Sequence, residues 1–422
     1  MVVLGLGKTG SSVCEFLESQ KIPYLATDDR LQDESQKVVQ LLDEGKVTAI
    51  ITSPGIPLSH PLLKNAQEKH VEVFCDVEYA FQVKKNKMVG ITGTNGKTTT
   101  TLLTSHMLQF AHVPAKTVGN IGIPIFSALS EQETLVIELS SFQLQTMRTK
   151  ALKAAVCLNI SPNHLDHHAT FDEYVEAKRH IATLALEEDA FFVGKKAHDA
   201  YFTAFTRAQI IGFDPSCDVY SDGIFLWRHG CKEGEVPQSL HGKMTHDLEN
   251  FLAAFALSRY LGVPAECCIE SYATFKKPSH RIELIANQNG LFVYDDSKAT
   301  SIDAVVRAVE TLEKDIVLIA GGVHKGFPYT AWKESFRGRV KKAFLNGPAA
   351  SFIERDLEGV IDTDLCSSFE EAVHKAFDYA SSGDKVLLSP GCSSFDRFSG
   401  YEERGKLFQQ LALQNMRVKV TH

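Results

Sequence analysis

Along most of the chain, short apolar runs rich in β-branched residues alternate with longer stretches of helical pattern. That alternation predicts βα units packed into mostly parallel sheets, so the expected fold class is α/β. Strands are expected at 1–4, 24–27, 48–53, 88–92, 134–139, 154–160, 291–295, 315–320, 343–346 and 385–389. Parallel sheets gather ligands in the crevice outside the carboxyl ends of their strands. Motifs at those ends therefore carry most of the functional information.

At roughly 100–200 residues per domain, 422 residues imply several cores. The polar run Val83–Lys87 precedes a new strand and glycine loop, and Pro278 breaks the chain before a further βα series. Three domains are expected, at 1–86, 87–277 and 278–422. No stretch approaches the roughly 20 apolar residues of a membrane span, and MVVLGLGKTG reads as a strand entering glycines, not as a secretion signal. Nine cysteines without a C-x-x-C pair point to reduced thiols and a cytoplasmic protein. With 44 Lys plus Arg against 52 Asp plus Glu and no basic block, neither a nucleic-acid nor a membrane partner is expected.

GLGKTG, Gly5 to Gly10, has the G-x-G-x-x-G spacing between a strand and a helix, and Asp28 and Asp29 follow about 20 residues later. Glycines let backbone approach a pyrophosphate, and a helix N-terminus offers unpaired N–H groups. The motif alone does not separate NAD, FAD or another diphosphate nucleotide. GITGTNGKTTT, Gly90 to Thr100, is the stronger signal. The N–H groups of Gly93, Thr94, Asn95, Gly96 and Lys97 can wrap phosphates, Lys97 can neutralise them, and the Thr98 hydroxyl, with Thr99 beside it, can reach Mg²⁺. ATP is the expected ligand.

Glu138 ends an expected strand and suits a Mg²⁺ site. His164, Asp166, His167 and His168 crowd the loop after the next strand; they lack the cysteines or spaced third ligand of a zinc site. Thr170–Glu173 reads as a capping box. By residue type alone, Lys178 two turns later is a solvated helix lysine. In the last third, DDSKATS (295–301), GGVHKG (321–326) and SPGCSSFDRF (389–398) each follow a strand.

Taken in order, GTNGKTT, ELSSFQL, NHLDHH, the His280-Arg281 dipeptide, DSKAT and SPGCSSFDRF resemble the Mur ligase family of ATP-dependent amide-forming enzymes. The resemblance covers essentially the whole chain. It implies a central P-loop-type ATPase domain flanked by Rossmann-like domains, the first for a uridine diphosphate sugar and the last for an amino acid. GLGKTG, Asp28-Asp29-Arg30, the SPGIP loop and ELSSFQL are most similar to the branch that joins D-glutamate to UDP-N-acetylmuramoyl-L-alanine in peptidoglycan precursor synthesis, acting as a monomer.

By motif, the resemblance assigns Gly7, Lys8, Thr9, Asp28, Asp29, Arg30, Ser53, Pro54, Gly55 and Asn120 to the UDP-sugar. Gly93 to Thr99, Asn250, Arg281 and Asp296 go to ATP. Thr98, Glu138, His164 and Lys178 go to one or two Mg²⁺ ions, and Thr300, Lys325, Ser394 and Tyr401 to D-glutamate. Lys97, His164, Lys178 and Lys298 carry catalysis. Lys178 matches a lysine that the family carbamylates with CO₂, which needs a neutral amine and hence a depressed pKa. Asp247, Ser301, His324 and Tyr401 depart from the family's usual residues. A dehydrogenase would leave GTNGKTT idle. Among sister ligases, folylpolyglutamate synthetase lacks the glycine-rich first domain, and the diaminopimelate-adding enzyme carries a D-N-P-R motif absent here.

Overall fold

The computed structural model describes residues 1–28, 31–84, 86–128, 132–163, 168–242, 245–324, 326 and 328–418. The chain divides into two compact units, residues 1–160 with 170–275 and residues 161–169 with 276–422. Among the described residues, three sheets are built along it.

The first sheet holds β1 (Val2–Leu4), β2 (Leu25–Thr27), β3 (Ala49–Thr52) and β4 (Glu72–Cys75), all parallel, in the order β2-β1-β3-β4. Successive connections leave β1 on opposite sides. Its carboxyl end is therefore a topological switch point, where doubly wound sheets open a crevice.

The second sheet comprises β5 (Met88–Thr92), β6 (Ala115–Gly119), β7 (Thr134–Glu138), β8 (Leu152–Cys157), β9 (Ala185–Gly194), β10 (Ala208–Gly212), β11 (Val219–Ser221), β12 (Phe225–Arg228) and β13 (Cys231–Glu235). Their order is β13-β12-β11-β10-β9-β8-β5-β7-β6, parallel from β6 to β11 and antiparallel for the last two pairs. Helices cover both faces of β5, β7 and β8, so these strands read as continuous apolar runs. Val89, Ile91, Val136 and Val156 lie on one side, against helices Lys97–Phe110 and His246–Tyr260, and are fully buried. Each such side chain contributes about 1.5–3 kcal/mol on burial.

One core cluster joins Val13, Leu17, Phe74 and Tyr79 to Met88, Leu135, Ile137 and Leu152, so the first two sheets belong to a single compact unit.

The third sheet contains β14 (Glu283–Gln288), β15 (Leu291–Asp295), β16 (Ile316–Gly321), β17 (Val340–Asn346), β18 (Asp362–Leu365) and β19 (Lys385–Leu388). Its order is β14-β15-β19-β16-β17-β18, with only the β14–β15 pair antiparallel. Residues 161–169 pack with this unit, where Ser161 Oγ donates to Asp303 Oδ2 at 3.2 Å. Among the described residues, no helix is long and apolar enough to cross a membrane.

Candidate active site

The loop Gly93–Gly96 leaves the carboxyl end of β5 and enters the helix Lys97–Phe110, with Gly96 at φ 82° as its N-cap. A Cβ on Gly96 would stand 2.2 Å from Asn250 Oδ1, so only glycine lets this loop close over that side chain. Asn250 Oδ1 also accepts from Thr100 Oγ1 at 3.3 Å. Lys97 Nζ curls back to the carbonyls of Gly93 and Thr94, both at 2.8 Å. These contacts place a cation, a helix N-terminus and a row of amides around one concave turn, the arrangement that suits a polyphosphate.

Glu138, at the end of neighbouring β7, is buried, with one oxygen accepting from Thr98 Oγ1 and the other from Asn120 Nδ2, each at 2.9 Å. Lys178 comes from the helix Phe171–Arg179, which Thr170 caps by accepting the Glu173 N–H. It is 1% exposed, not solvated, and donates to the Gly93 carbonyl at 2.7 Å. Burial, with help from the Lys97 charge, pushes its pKa well below that of an ordinary lysine. A buried amine with a lowered pKa, 3.4 Å from the Thr92 hydroxyl, is the kind of site that can take up CO₂. The Thr98 hydroxyl and the Glu138 carboxylate beside it are hard oxygens of the kind Mg²⁺ prefers.

In the first sheet, Ser53 Oγ donates to the Gly5 carbonyl at 3.0 Å, and the Leu6 N–H donates to Asp28 Oδ2 at 3.0 Å. Asp28 therefore braces the glycine turn itself. Gly7 and Lys8 are exposed, Thr9 is half-buried, and Ser53, Pro54 and Gly55 form the loop after β3, beside them.

In the third sheet, the loops after β15, β16 and β19 leave three adjacent strands. The backbone zips them together: Gly391 N–H donates to Ala299 O at 2.8 Å, Gly321 N–H to Pro390 O at 3.0 Å and Val323 N–H to Ser393 O at 2.9 Å. Asp296 is buried, accepts from Ser389 Oγ at 2.8 Å and from the Ile282 N–H at 3.3 Å, and is pushed up to about 7 by burial. The Arg281 charge partly opposes that rise. Lys298 Nζ lies 3.6 Å from the centre of the Tyr401 ring, and Ser394 is buried. Thr300 lines a small pocket with Pro162, Asn163, Ser301, Tyr329 and Gly391. Ser301 caps the helix Ile302–Leu312, accepting the Ala304 N–H at 3.3 Å, which gives that departure a structural task.

The Mur ligase middle domain matches residues 91–258, the Mur ligase glutamate ligase domain residues 280–392, and the N-terminal domain of MurD-like Mur ligases residues 1–75. A UDP-N-acetylmuramoylalanine--D-glutamate ligase of Protochlamydia amoebophila is 39% identical over 430 residues, 97% of each chain. The chain belongs to the Mur ligase family. A second ligase of the same name, from a Thermoanaerobacter species, is 34% identical to this Mur ligase, again across 97% of each chain.

Solved structures agree on the fold. A UDP-N-acetylmuramate-alanine ligase from Thermotoga maritima superposes with a TM-score of 0.62 at 15% identity, covering 98% of this chain and 99% of that one. A MurF ligase from the same organism gives 0.63 at 17% identity, covering 91% and 92%.

Within this Mur ligase, Gly93–Thr99, Asn120, Glu138, Lys178 and Asn250 come together in the first unit, and Asp296, Lys298, Thr300, Ser394 and Tyr401 line loops of the second. Asp29, Arg30, His164 and Lys325 lie outside the described residues, as do Asp166 and His167. Sequence reading missed three supports. Asn159 exchanges hydrogen bonds with the Asn95 backbone at 2.9 and 3.1 Å. Tyr174 meets Thr94 Oγ1 at 2.9 Å through its hydroxyl, while its ring centre lies 4.8 Å from Lys178 Nζ. Buried Arg404 donates to the carbonyls of Ser297 and Cys392 at 2.8 and 3.2 Å. A polar residue closing an apolar strand run was the available signal for Asn159. Arg404 gave none, because an arginine in a helix ordinarily faces water.

Proposed function

We propose that this chain is an ATP-dependent ligase that joins D-glutamate to UDP-N-acetylmuramoyl-L-alanine in the cytoplasmic synthesis of peptidoglycan precursors, working as a monomer. The observation that carries the reading is the identity, 39% across 97% of both chains, with a ligase named for that reaction. The phosphate loop with buried Glu138 and Lys178 beside it supports the ATP half.

A carboxylate is a poor acyl donor and must first be activated. An oxygen of the alanyl carboxylate attacks the γ-phosphorus of ATP, the bond to the β–γ bridging oxygen breaks, and ADP leaves. The amine of D-glutamate then attacks the carbonyl carbon of the acyl phosphate, loses a proton, and the tetrahedral adduct expels phosphate. Positioning and charge neutralisation supply most of the rate in such transfers.

Lys97 and the amides of Gly93–Lys97 hold the phosphates of ATP, and Asn250 supports that loop from beneath. Thr98, Glu138, His164 and a carbamylated Lys178 would hold Mg²⁺, which would supply positive charge to offset the negative charge on the phosphoryl oxygens. The GLGKTG and SPGIP loops take the uridine diphosphate, and Asn120 the muramoyl end. Lys298, Thr300, Lys325 and Ser394 receive D-glutamate, whose two carboxylates need cations and hydroxyls.

The test is phosphate release in mixtures lacking one component at a time. Release is expected only when ATP, UDP-N-acetylmuramoyl-L-alanine and D-glutamate are all present. Equal release with L-glutamate, or none in the complete mixture, overturns the reading.

A further inference from the structure

The last helix, Tyr401–Val418, begins against the loop that carries Lys298. Three contacts fix its first turn there. Ser297 Oγ donates to the Tyr401 carbonyl at 2.8 Å. One turn later, Arg404 donates to Ser297 Oγ at 3.1 Å and to the Ser297 carbonyl at 2.8 Å. The His280 ring stands edge-on to Tyr401, 6.2 Å between centres at 78°, and the His280 carbonyl accepts the Lys298 N–H at 3.1 Å. Backbone and ring positions around Lys298 are thus both determined, and its ammonium ends 3.6 Å from the centre of the Tyr401 ring.

An ammonium within about 6 Å of an aromatic face is held by the ring quadrupole, more strongly as water is excluded. A lysine otherwise loses rotamer freedom when it is held at one point, and a stacked ring pre-orders it without neutralising its charge.

We propose that Tyr401 is a positioning residue, whose ring face holds the Lys298 ammonium at the point where the incoming amino acid's carboxylate is received. The phenol hydroxyl is not needed for this task; the π-face is. The proposal rests on the ligase reading and deepens it, since it assigns Tyr401 to the lysine and not to direct contact with glutamate.

The experiment compares Tyr401→Phe, Tyr401→Leu, Lys298→Met and the double variant Tyr401→Leu/Lys298→Met in the full chain, with kcat and the KM of each substrate measured separately. Activity of the unmodified enzyme tests the ligase reading, so failure there is distinct from failure of this proposal. Tyr401→Phe, which keeps the ring face, is expected to retain most of the kcat/KM for D-glutamate that Tyr401→Leu loses. Tyr401→Leu is expected to lower kcat/KM for D-glutamate about tenfold, with the KM of ATP unchanged. In Lys298→Met, adding Tyr401→Leu is expected to cause no further loss. If Tyr401→Leu does not fold, phenylalanines of increasing fluorination at position 401 keep the shape and weaken the ring face, and activity should fall stepwise with fluorine number. Loss of activity in Tyr401→Phe, full multiplication of the two single effects, or indifference to fluorination overturns the proposal.

Discussion

Lys178 and Gly10 show how much a single position can decide. Lys178 is buried with its amine against the Gly93 carbonyl, and burial holds its pKa well below that of an ordinary lysine. Lys178→Ala is therefore expected to lower ligase activity at least about a hundredfold, in line with the loss of one preorganised charge. Short carboxylic acids added to the assay should restore part of it, by supplying the missing oxygens. Full activity in the unsupplemented variant would remove the carbamate from the mechanism. A Cβ on Gly10 would stand 1.8 Å from the Gly5 carbonyl oxygen, whereas one on Gly7 meets nothing within 4 Å. Gly10→Ala should destabilise the chain by about 1–3 kcal/mol, and Gly7→Ala should leave its melting temperature unchanged. Both glycines occupy the same motif, and spacing alone does not tell which one is there for packing and which leaves room for a ligand.

At the scale of elements, the strand β15 and the helix that begins at Tyr401 share a buried charged group. His280 Nδ1 and Asp295 Oδ2 lie 2.7 Å apart, and Gln409 donates to the same oxygen at 2.9 Å. The hydrogen bond to Asp295 raises the His280 pKa, despite burial acting the other way. A raised histidine pKa contributes stability that is fully present below the unfolded value near 6.5 and is lost as pH rises through the folded value. Melting temperature should fall over that window, and His280→Gln should flatten the slope. Asp296 adds a slope at lower pH: with its pKa pushed up to about 7 by burial, the folded state holds a proton that the unfolded chain releases near 4. Stability should therefore decline from about pH 4 to 7, a decline that Asp296→Asn removes. Of the elements themselves, the doubly covered strands β5, β7, β8, β15, β16 and β19 were legible as apolar runs. β13 (CKEGE) and β18 (DTDL) were not, because edge strands face water and take their form from the neighbour they pair with.

For the molecule as a whole, a net charge of −8 runs against substrates that are all anions. The resolution is local: Lys97 lies at one strand end, Arg281 and Lys298 near another, and helix N-termini add partial positive charge. Beyond roughly 8–10 Å, salt screens the remaining acidic surface. A ligand that binds only the folded chain stabilises it by about 2.7 kcal/mol at a hundred times its Kd. Mg-ATP should accordingly raise the melting temperature of the wild type, and Lys97→Ala should abolish most of that rise in a thermal-shift titration.

By itself, the sequence determined the α/β class, the strand-to-helix placement of both glycine loops and the family, because those follow from local periodicity and from glycines at fixed spacing. Only the tertiary structure decided that Lys178 is buried beneath the phosphate loop, that Asp28 braces its own glycine turn, that the core runs continuously from the first sheet into the second, and that Arg404 ties two loops of the third. The physical reason is common to all four. Desolvation and hydrogen bonding depend on which distant segments arrive at the same place, and residue type and spacing carry no record of that arrival.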